Sequence, residues 1–233
     1  MRPEATTLEL DRIAEEFIRS NGAVPSLKGY KGFPCSICAS VNNVAAHGIP
    51  NDYAFEEGDI VSIDITVSMD GWHGDAAWSF LVGEGDADSR RLIRAAWQAA
   101  LKGVQTARAG SRFGDVGYAI KNTTAGNGCS VFEDYVGHGI GERMHEEPMV
   151  LNFGHRGAGQ KIVPGMVFTI EPIVTLGEQG MSRLDDGWTL VTADNKPSAQ
   201  FEHTIAVFRD YTEVLTFSGG SLEEHLDFPP YCQ

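Results

Sequence analysis

The sequence predicts an α+β fold made of two related halves, each opening with a helix and continuing into strands. Three observations carry this. Helix-period apolar stripes are confined to three stretches, and the remainder alternates at period two between Gly and Pro punctuation. In addition, Arg2 to Asp11 aligns weakly with Arg108 to Gly117, sharing the arginine, an acid at the eighth place (Glu9, Asp115) and an apolar residue at the ninth (Leu10, Val116).

Taken in order, the first helix starts at Thr6, whose spacing to Glu9 is that of a capping box, and places Leu10, Ile13, Ala14, Phe17 and Ile18 on one face until Asn21-Gly22. A second runs from about Ser89 to Ala107, with Leu92, Ile93, Ala96, Trp97, Ala100, Leu101 and Val104 at helical spacing. A third begins near Arg112, carries Val116, Ala119 and Ile120, and stops at Gly126-Asn127-Gly128. Strands are expected over Ile60 to Val67, Ala76 to Val82, Met166 to Val174 and Phe201 to Phe208.

At 233 residues, with 18 Lys and Arg against 32 Asp and Glu, the formal charge is −14. A nucleic-acid binder needs a basic face to neutralise phosphates, and the basic residues here are scattered singly. Direct readout of nucleic acid is therefore excluded, and so is an anionic membrane surface. No apolar run reaches the ~18 residues of a membrane span, and no basic start with an apolar run marks a leader. The expectation is one cytoplasmic domain over 1–233, with halves of about 1–86 and 87–216 and a tail over 217–233, as a monomer or weak oligomer. Cys35, Cys38, Cys129 and Cys232 are too few for a disulfide scaffold. Cys35 and Cys38 have CxxC spacing, but no second pair or paired histidines complete a zinc site, so they read as reduced thiols lining a core or pocket.

The chemistry starts at Ile60 to Val67, where Val61, Ile63, Ile65 and Val67 take one face and Ser62, Asp64 and Thr66 the other. If Asp70-Gly71 makes a two-residue hairpin turn, Asp64 faces Ala77 and Asp75 lies diagonally across on the same face. Two carboxylates converging in a half-buried sheet repel unless protons or cations compensate. Glu171 in Thr169-Ile170-Glu171-Pro172 and Glu202 in Gln200-Phe201-Glu202-His203 also sit among apolar strand neighbours, and His138 stands between glycines in Gly137-His138-Gly139-Ile140-Gly141. Four carboxylates and one imidazole suit a pair of divalent ions of the Mn, Fe, Co or Zn type.

These motifs, with His47-Gly48-Ile49-Pro50 and His145-Glu146-Glu147-Pro148, resemble type I methionine aminopeptidases in order along nearly the whole chain. The spacings 64 to 75, 138 to 171 and 171 to 202 are similar to that family and too short for the helical insertion of the type II enzymes. The resemblance implies the pita-bread fold, two pseudo-symmetric αβ halves around a curved antiparallel sheet. It further implies that Asp64, Asp75, His138, Glu171 and Glu202 hold two divalent ions, which supply an activated water. Glu171 is then the general base, His47 and His145 stabilise the reacting amide without binding metal, and Tyr30, Phe33, Cys38, Met144 and Trp188 line the methionine pocket with His47 and His145 at its edge. Phe33 stands where the family often has tyrosine and Met144 where it often has an aromatic residue.

The implied substrates are nascent polypeptides and peptides with a small second residue, met at the ribosome or free of it. Two other readings share the fold: an aminopeptidase P or prolidase-like Xaa-Pro peptidase, which usually carries a further N-terminal domain, and a noncatalytic pita-bread binding protein, which typically loses ligands. Finally, helix 89–107 precedes the second copy of the repeat whereas only Met1 precedes the first. A bare apolar surface is therefore expected on the first half, covered by Leu222 to Gln233, with Leu226, Phe228 and Tyr231, or by another subunit or protein.

Overall fold

The computed structural model describes residues 1–217. Helix α1 spans Thr7–Ser20 and is followed by β1 (Val24–Pro25), β2 (Cys38–Val41), β3 (Val44–Ala46), β4 (Ile60–Met69) and β5 (Trp72–Leu81). Helices α2 (Ala87–Thr106) and α3 (Phe113–Gly126) come next. The remaining strands are β6 (Ser130–Val131), β7 (Gly137–Gly139), β8 (Glu146–Val150), β9 (Val167–Ile170), β10 (Ile173–Thr175), β11 (Met181–Arg183), β12 (Leu190–Thr192), β13 (Ser198–Gln200), β14 (Glu202–Val207) and β15 (Thr212–Val214).

Caps place the helices. Thr6 Oγ1 accepts from Glu9 N (3.1 Å) and starts α1, while the Glu9 carboxylate turns to Arg2 (3.6 Å). At α3 the other half of the reciprocal pair forms, with Arg112 N donating to Asp115 Oδ2 at 2.9 Å. Both helices are 14 residues long, and both capping residues make an isolated antiparallel bridge, Thr6 to Ala54 and Arg112 to Lys161. The two aligned sequence segments thus open equivalent elements. Helix α2 begins two residues before the expected Ser89, because Asp86 caps it by accepting from Ser89 N (2.7 Å).

The main sheet has nine antiparallel strands in the order β1-β4-β5-β14-β9-β7-β8, with β2 added on β4 and β15 on β14. Asp70 and Gly71 close the β4–β5 hairpin with φ of 52° and 86°, the left-handed geometry of a tight two-residue turn. The register is the expected one, Asp64 opposite Ala77 and Thr66 opposite Asp75. Pairing continues to the turn itself, so β4 runs to Met69 and β5 starts at Trp72 instead of Ala76. The strand expected over Met166 to Val174 is broken at Glu171-Pro172, since proline has no N–H for a ladder; β9 stays in the main sheet and β10 pairs with β6 and β13.

One core lies beneath α2 and α3, where Leu92, Ile93, Trp97, Leu101 and Val104 meet Phe168, Ile170 and Phe201. A second gathers Ile37, Phe55, Val61, Ile63 and Val82, with Leu10 and Ala14 of α1 packed on it. Helix α1 buries less of its apolar face than expected. Ile18 is inside, but Ile13 is 48% and Phe17 69% exposed, and the buried stripe runs through Thr7 and Asp11. Val24 and Leu8 are exposed nearby in sequence, whereas residues 222–233, expected to cover such a surface, lie outside the described residues. Among the described residues no helix is long and apolar enough to cross a membrane.

Candidate active site

The sheet's inner face is polar where three strands run side by side. Ala77 of β5 is the cross-strand partner of both Asp64 on β4 and Glu202 on β14. Partners share a face, so the small alanine separates two carboxylates and leaves room between them. Asp75, two residues along β5, joins the row. Glu171 follows the end of β9, and His138 is the middle residue of β7. Gly137 has to be glycine, because a Cβ there would collide with the Thr169 carbonyl.

Three threonines orient these groups, each two residues from an acid and on its face. Thr66 Oγ1 donates to Asp75 Oδ1 (2.9 Å), and Thr169 Oγ1 donates to Glu171 Oε1 (2.7 Å) while accepting from His138 N (3.0 Å). Thr204 Oγ1 donates to the Asp75 carbonyl (2.7 Å) and accepts from Asp75 N (3.0 Å). His138 Nδ1 donates to the Gly139 carbonyl (3.0 Å), which turns the Nε2 lone pair toward Glu171 Oε1 (3.5 Å) and Asp75 Oδ2 (3.9 Å).

That arrangement crowds four carboxyl groups together. Burial, then the carboxylates of Asp75 and Glu171, push the Asp64 carboxyl well above its usual range; burial, then Asp75, do the same to Glu202. Burial also raises Asp75, and lifts Glu171 to about 8. Glu202 Oε1 is buried without a hydrogen-bond partner, and ligand atoms of Asp75, His138 and Glu202 lie within 4.8 Å of one another. An orphaned carboxylate oxygen, an inward imidazole lone pair and four mutually repelling acids fit divalent cations.

A pH dependence follows. An acid with a raised folded-state pKa contributes stability that is complete below its unfolded value, near 4, and is lost as pH rises through the folded value. Metal-stripped protein is expected to melt lower at pH 9 than at pH 6, by on the order of 5 °C, while added divalent ions remove the fall. Thermal melts of stripped protein that stay flat or rise over this range contradict the electrostatics above.

The walls come from loops. His47 takes the left-handed conformation (φ 53°), and Gly48 after it lies so close to the Ala39 carbonyl that no Cβ fits. The His47 ring stands edge-on to Tyr135 (5.6 Å) and Trp188 (6.2 Å); burial, then Arg183, lower its pKa. Tyr30 Oη is 3.1 Å from His145 Nδ1, and the His145 ring lies 4.3 Å from that of His138. Burial first, then His138, hold His145 down at about 4, so it is neutral at pH 7. Phe33 meets Trp188 edge-to-face at 5.2 Å, and Met144 and Cys38 are buried beside them. Cys38 sits opposite Asp64, and burial, then Asp64, push its thiol well up. Cys35, Cys38 and Cys129 are free thiols, in agreement with the sequence reading; Cys232 is outside the described residues.

One cavity of about 400 Å³ is lined by every site residue the sequence nominates: Tyr30, Phe33, Cys38, His47, Asp64, Asp75, His138, Met144, His145, Glu171, Trp188 and Glu202. Sequence reasoning missed Thr66, Tyr135 and Gln200, which line it too. It also missed His73, whose backbone N donates to the Gly141 carbonyl (2.8 Å), with its ring Nδ1 3.2 Å from the same oxygen. Those contacts tie the β4–β5 hairpin to the loop that carries Met144 and His145.

A curved antiparallel sheet cupping buried Asp, His and Glu donors is metallopeptidase architecture, and the chain belongs to metallopeptidase family M24, whose model matches residues 1–208. Its relatives include methionine aminopeptidases. That of Clostridium perfringens is 49% identical over 93% of this chain and 87% of its own length. Crystal structures of two more superpose on it: the Rickettsia prowazekii protein (45% identity, TM-score 0.90, covering 93% of this chain and 88% of that one) and the Thermotoga maritima protein (38%, 0.91, 92% and 87%). The pita-bread α+β fold, the hydrolase class and divalent-metal binding are thereby established for this chain.

Proposed function

We propose that the protein removes the N-terminal methionine from nascent proteins and peptides whose second residue is small, in the cytoplasm. Asp64, Asp75, His138, Glu171 and Glu202 would hold two ions drawn from Mn, Fe, Co and Zn. When bound, such ions supply Lewis acidity and an activated water, and offer an open position to a free α-amine. The observation that carries this reading is the single cavity in which the acid row forms one side and an apolar, sulfur-bearing wall the other.

The chain's own groups do the rest. Glu171 is the base that takes a proton from the attacking water and returns it to the departing amine. With Tyr30 Oη donating to His145 Nδ1, Nε2 carries the hydrogen and points its donor at the developing oxyanion. His47, whose Nδ1 has no hydrogen-bond partner, serves the scissile amide. Tyr30, Phe33, Met144 and Trp188 enclose an unbranched thioether, with Cys38 as a soft contact.

Peptides Met-Ala-Ser, Leu-Ala-Ser, Lys-Ala-Ser and Ala-Pro-Ser, incubated with metal-loaded protein, test the reading. Methionine release is expected to exceed leucine release by about a hundredfold, with norleucine a weak competitor and lysine not released. Faster cleavage before proline would instead favour the Xaa-Pro peptidase reading. Comparable turnover of the lysine peptide would remove the pocket residues from this role.

A further inference from the structure

Helix α1 carries a buried carboxylate that the chemistry above does not use. Asp11 is 8% exposed, and its Oδ1 accepts from both Ser36 N (2.7 Å) and Ile37 N (3.1 Å). One turn further along, Glu15 Oε2 receives Lys28 Nζ at 2.6 Å. Lys28, then Arg19, hold that glutamate down at about 2, so it stays charged. The two grips bracket residues 28–36. Within this span lie Tyr30, which meets His145, and Phe33, which meets Trp188; Cys38 follows directly at the start of β2. Between β1 and β2 the chain joins no sheet and forms only a short 3₁₀ turn, Tyr30–Gly32, with Gly29, Lys31 and Gly32 at positive φ. Such a segment takes its position from what holds it.

We propose that Asp11 is a positioning residue for methionine selection: its carboxylate, with the Glu15–Lys28 pair as a second grip, fixes the wall formed by Phe33 and Cys38. The proposal rests on assigning those two residues to the methionine pocket. Removing the acceptor strands two buried N–H donors, which the loop can satisfy only by turning toward water. Phe33 and Cys38 move with it, whereas Tyr30, two residues from the intact Lys28–Glu15 grip, stays beside His145, and a displacement of ~1 Å in a pocket wall is enough to degrade alignment and discrimination. Asp11→Asn keeps an oxygen at the accepting position, whereas Asp11→Ala does not.

The experiment measures kcat, KM and bound metal for metal-loaded Asp11→Ala, Asp11→Asn and Phe33→Ala with Met-Ala-Ser and Leu-Ala-Ser peptides. For Asp11→Ala we expect KM for the methionine peptide to rise about tenfold, kcat to change less than about threefold, and the Met-over-Leu preference to fall with metal content unchanged. Asp11→Asn restores most of the preference. The clamp is overturned if Phe33→Ala lowers the preference while Asp11→Ala leaves KM and preference as they were. It is overturned equally if Asp11→Ala loses metal and kcat at constant KM, or if Asp11→Asn is as impaired as Asp11→Ala. If Phe33→Ala itself leaves the preference unchanged, the pocket assignment fails and takes the proposal with it. Should Asp11→Ala not fold, Asp11→Glu, longer by one methylene, is expected to shift KM and preference the same way, and an unchanged preference there overturns the idea.

Discussion

Asp64→Ala is expected to lose at least about a thousandfold in turnover and to retain less than the wild-type complement of divalent metal. Asp64 and Glu202 face each other across Ala77, so the alanine substitution opens one side of the acid row and leaves Asp75, Glu171, Glu202 and His138 to bind alone. Removing one charge from a set that repels itself has an opposite effect without metal. The burial and the neighbouring carboxylates that push Asp64 upward are costs borne by the stripped fold, and their relief offsets the cavity, so stripped Asp64→Ala should melt no lower than stripped wild type near pH 8. Metal analysis, hydrolysis of a Met-Ala peptide and a pair of melts read all three quantities. Full activity of this variant, or of rigorously stripped wild type, would falsify the metal-site assignment.

The Asp64–Asp75 part of the acid row was legible because its geometry is local. Asp70-Gly71 sets a two-residue turn, the turn sets the register, and the register puts Asp64, Thr66 and Asp75 on one face with no long-range information needed. The pattern Asp64-Ile65-Thr66, Thr169-Ile170-Glu171 and Glu202-His203-Thr204 was equally present in the chain: a threonine two residues from each acid shares its face. What hid its meaning is that all three threonines reach across strands, Thr66 bonding Asp75 rather than Asp64. Thr169 bonds His138 as well as Glu171, and Thr204 bonds Asp75 rather than the acid beside it. Asp11 was hidden for a different reason. Helical periodicity ranks apolar residues, so Phe17 was assigned to the inner face and Asp11 to none, but α1 turns toward the loop that needs its carboxylate. The break between β9 and β10 is marked in the chain by Pro172, but apolar residues continue on both sides of it and read as one strand.

His145→Ala is expected to lower kcat by about a hundredfold or more while the metal stays bound and KM moves little, which is the pattern of a group that acts only in the transition state. The imidazole lies close to the proposed metal ligands, 4.3 Å from the His138 ring, yet it is paired through Nδ1 with Tyr30 rather than with any of the four acids. Kept neutral by burial and by His138, it can donate one hydrogen from Nε2 to an oxygen that gains charge, and it does not compete with cations for the carboxylates. Tyr30→Phe supplies the internal comparison. It leaves the ring in place but frees Nδ1, so the hydrogen is shared between the two nitrogens and the correct tautomer is no longer imposed; a loss of about tenfold, smaller than that of His145→Ala, is expected. The two losses should not add in the double variant, because Tyr30 acts on kcat through the ring that His145→Ala removes. A fall in metal content in His145→Ala would make His145 a ligand and reverse the assignment. Losses that simply add would separate Tyr30 from His145 and return it to the pocket wall alone.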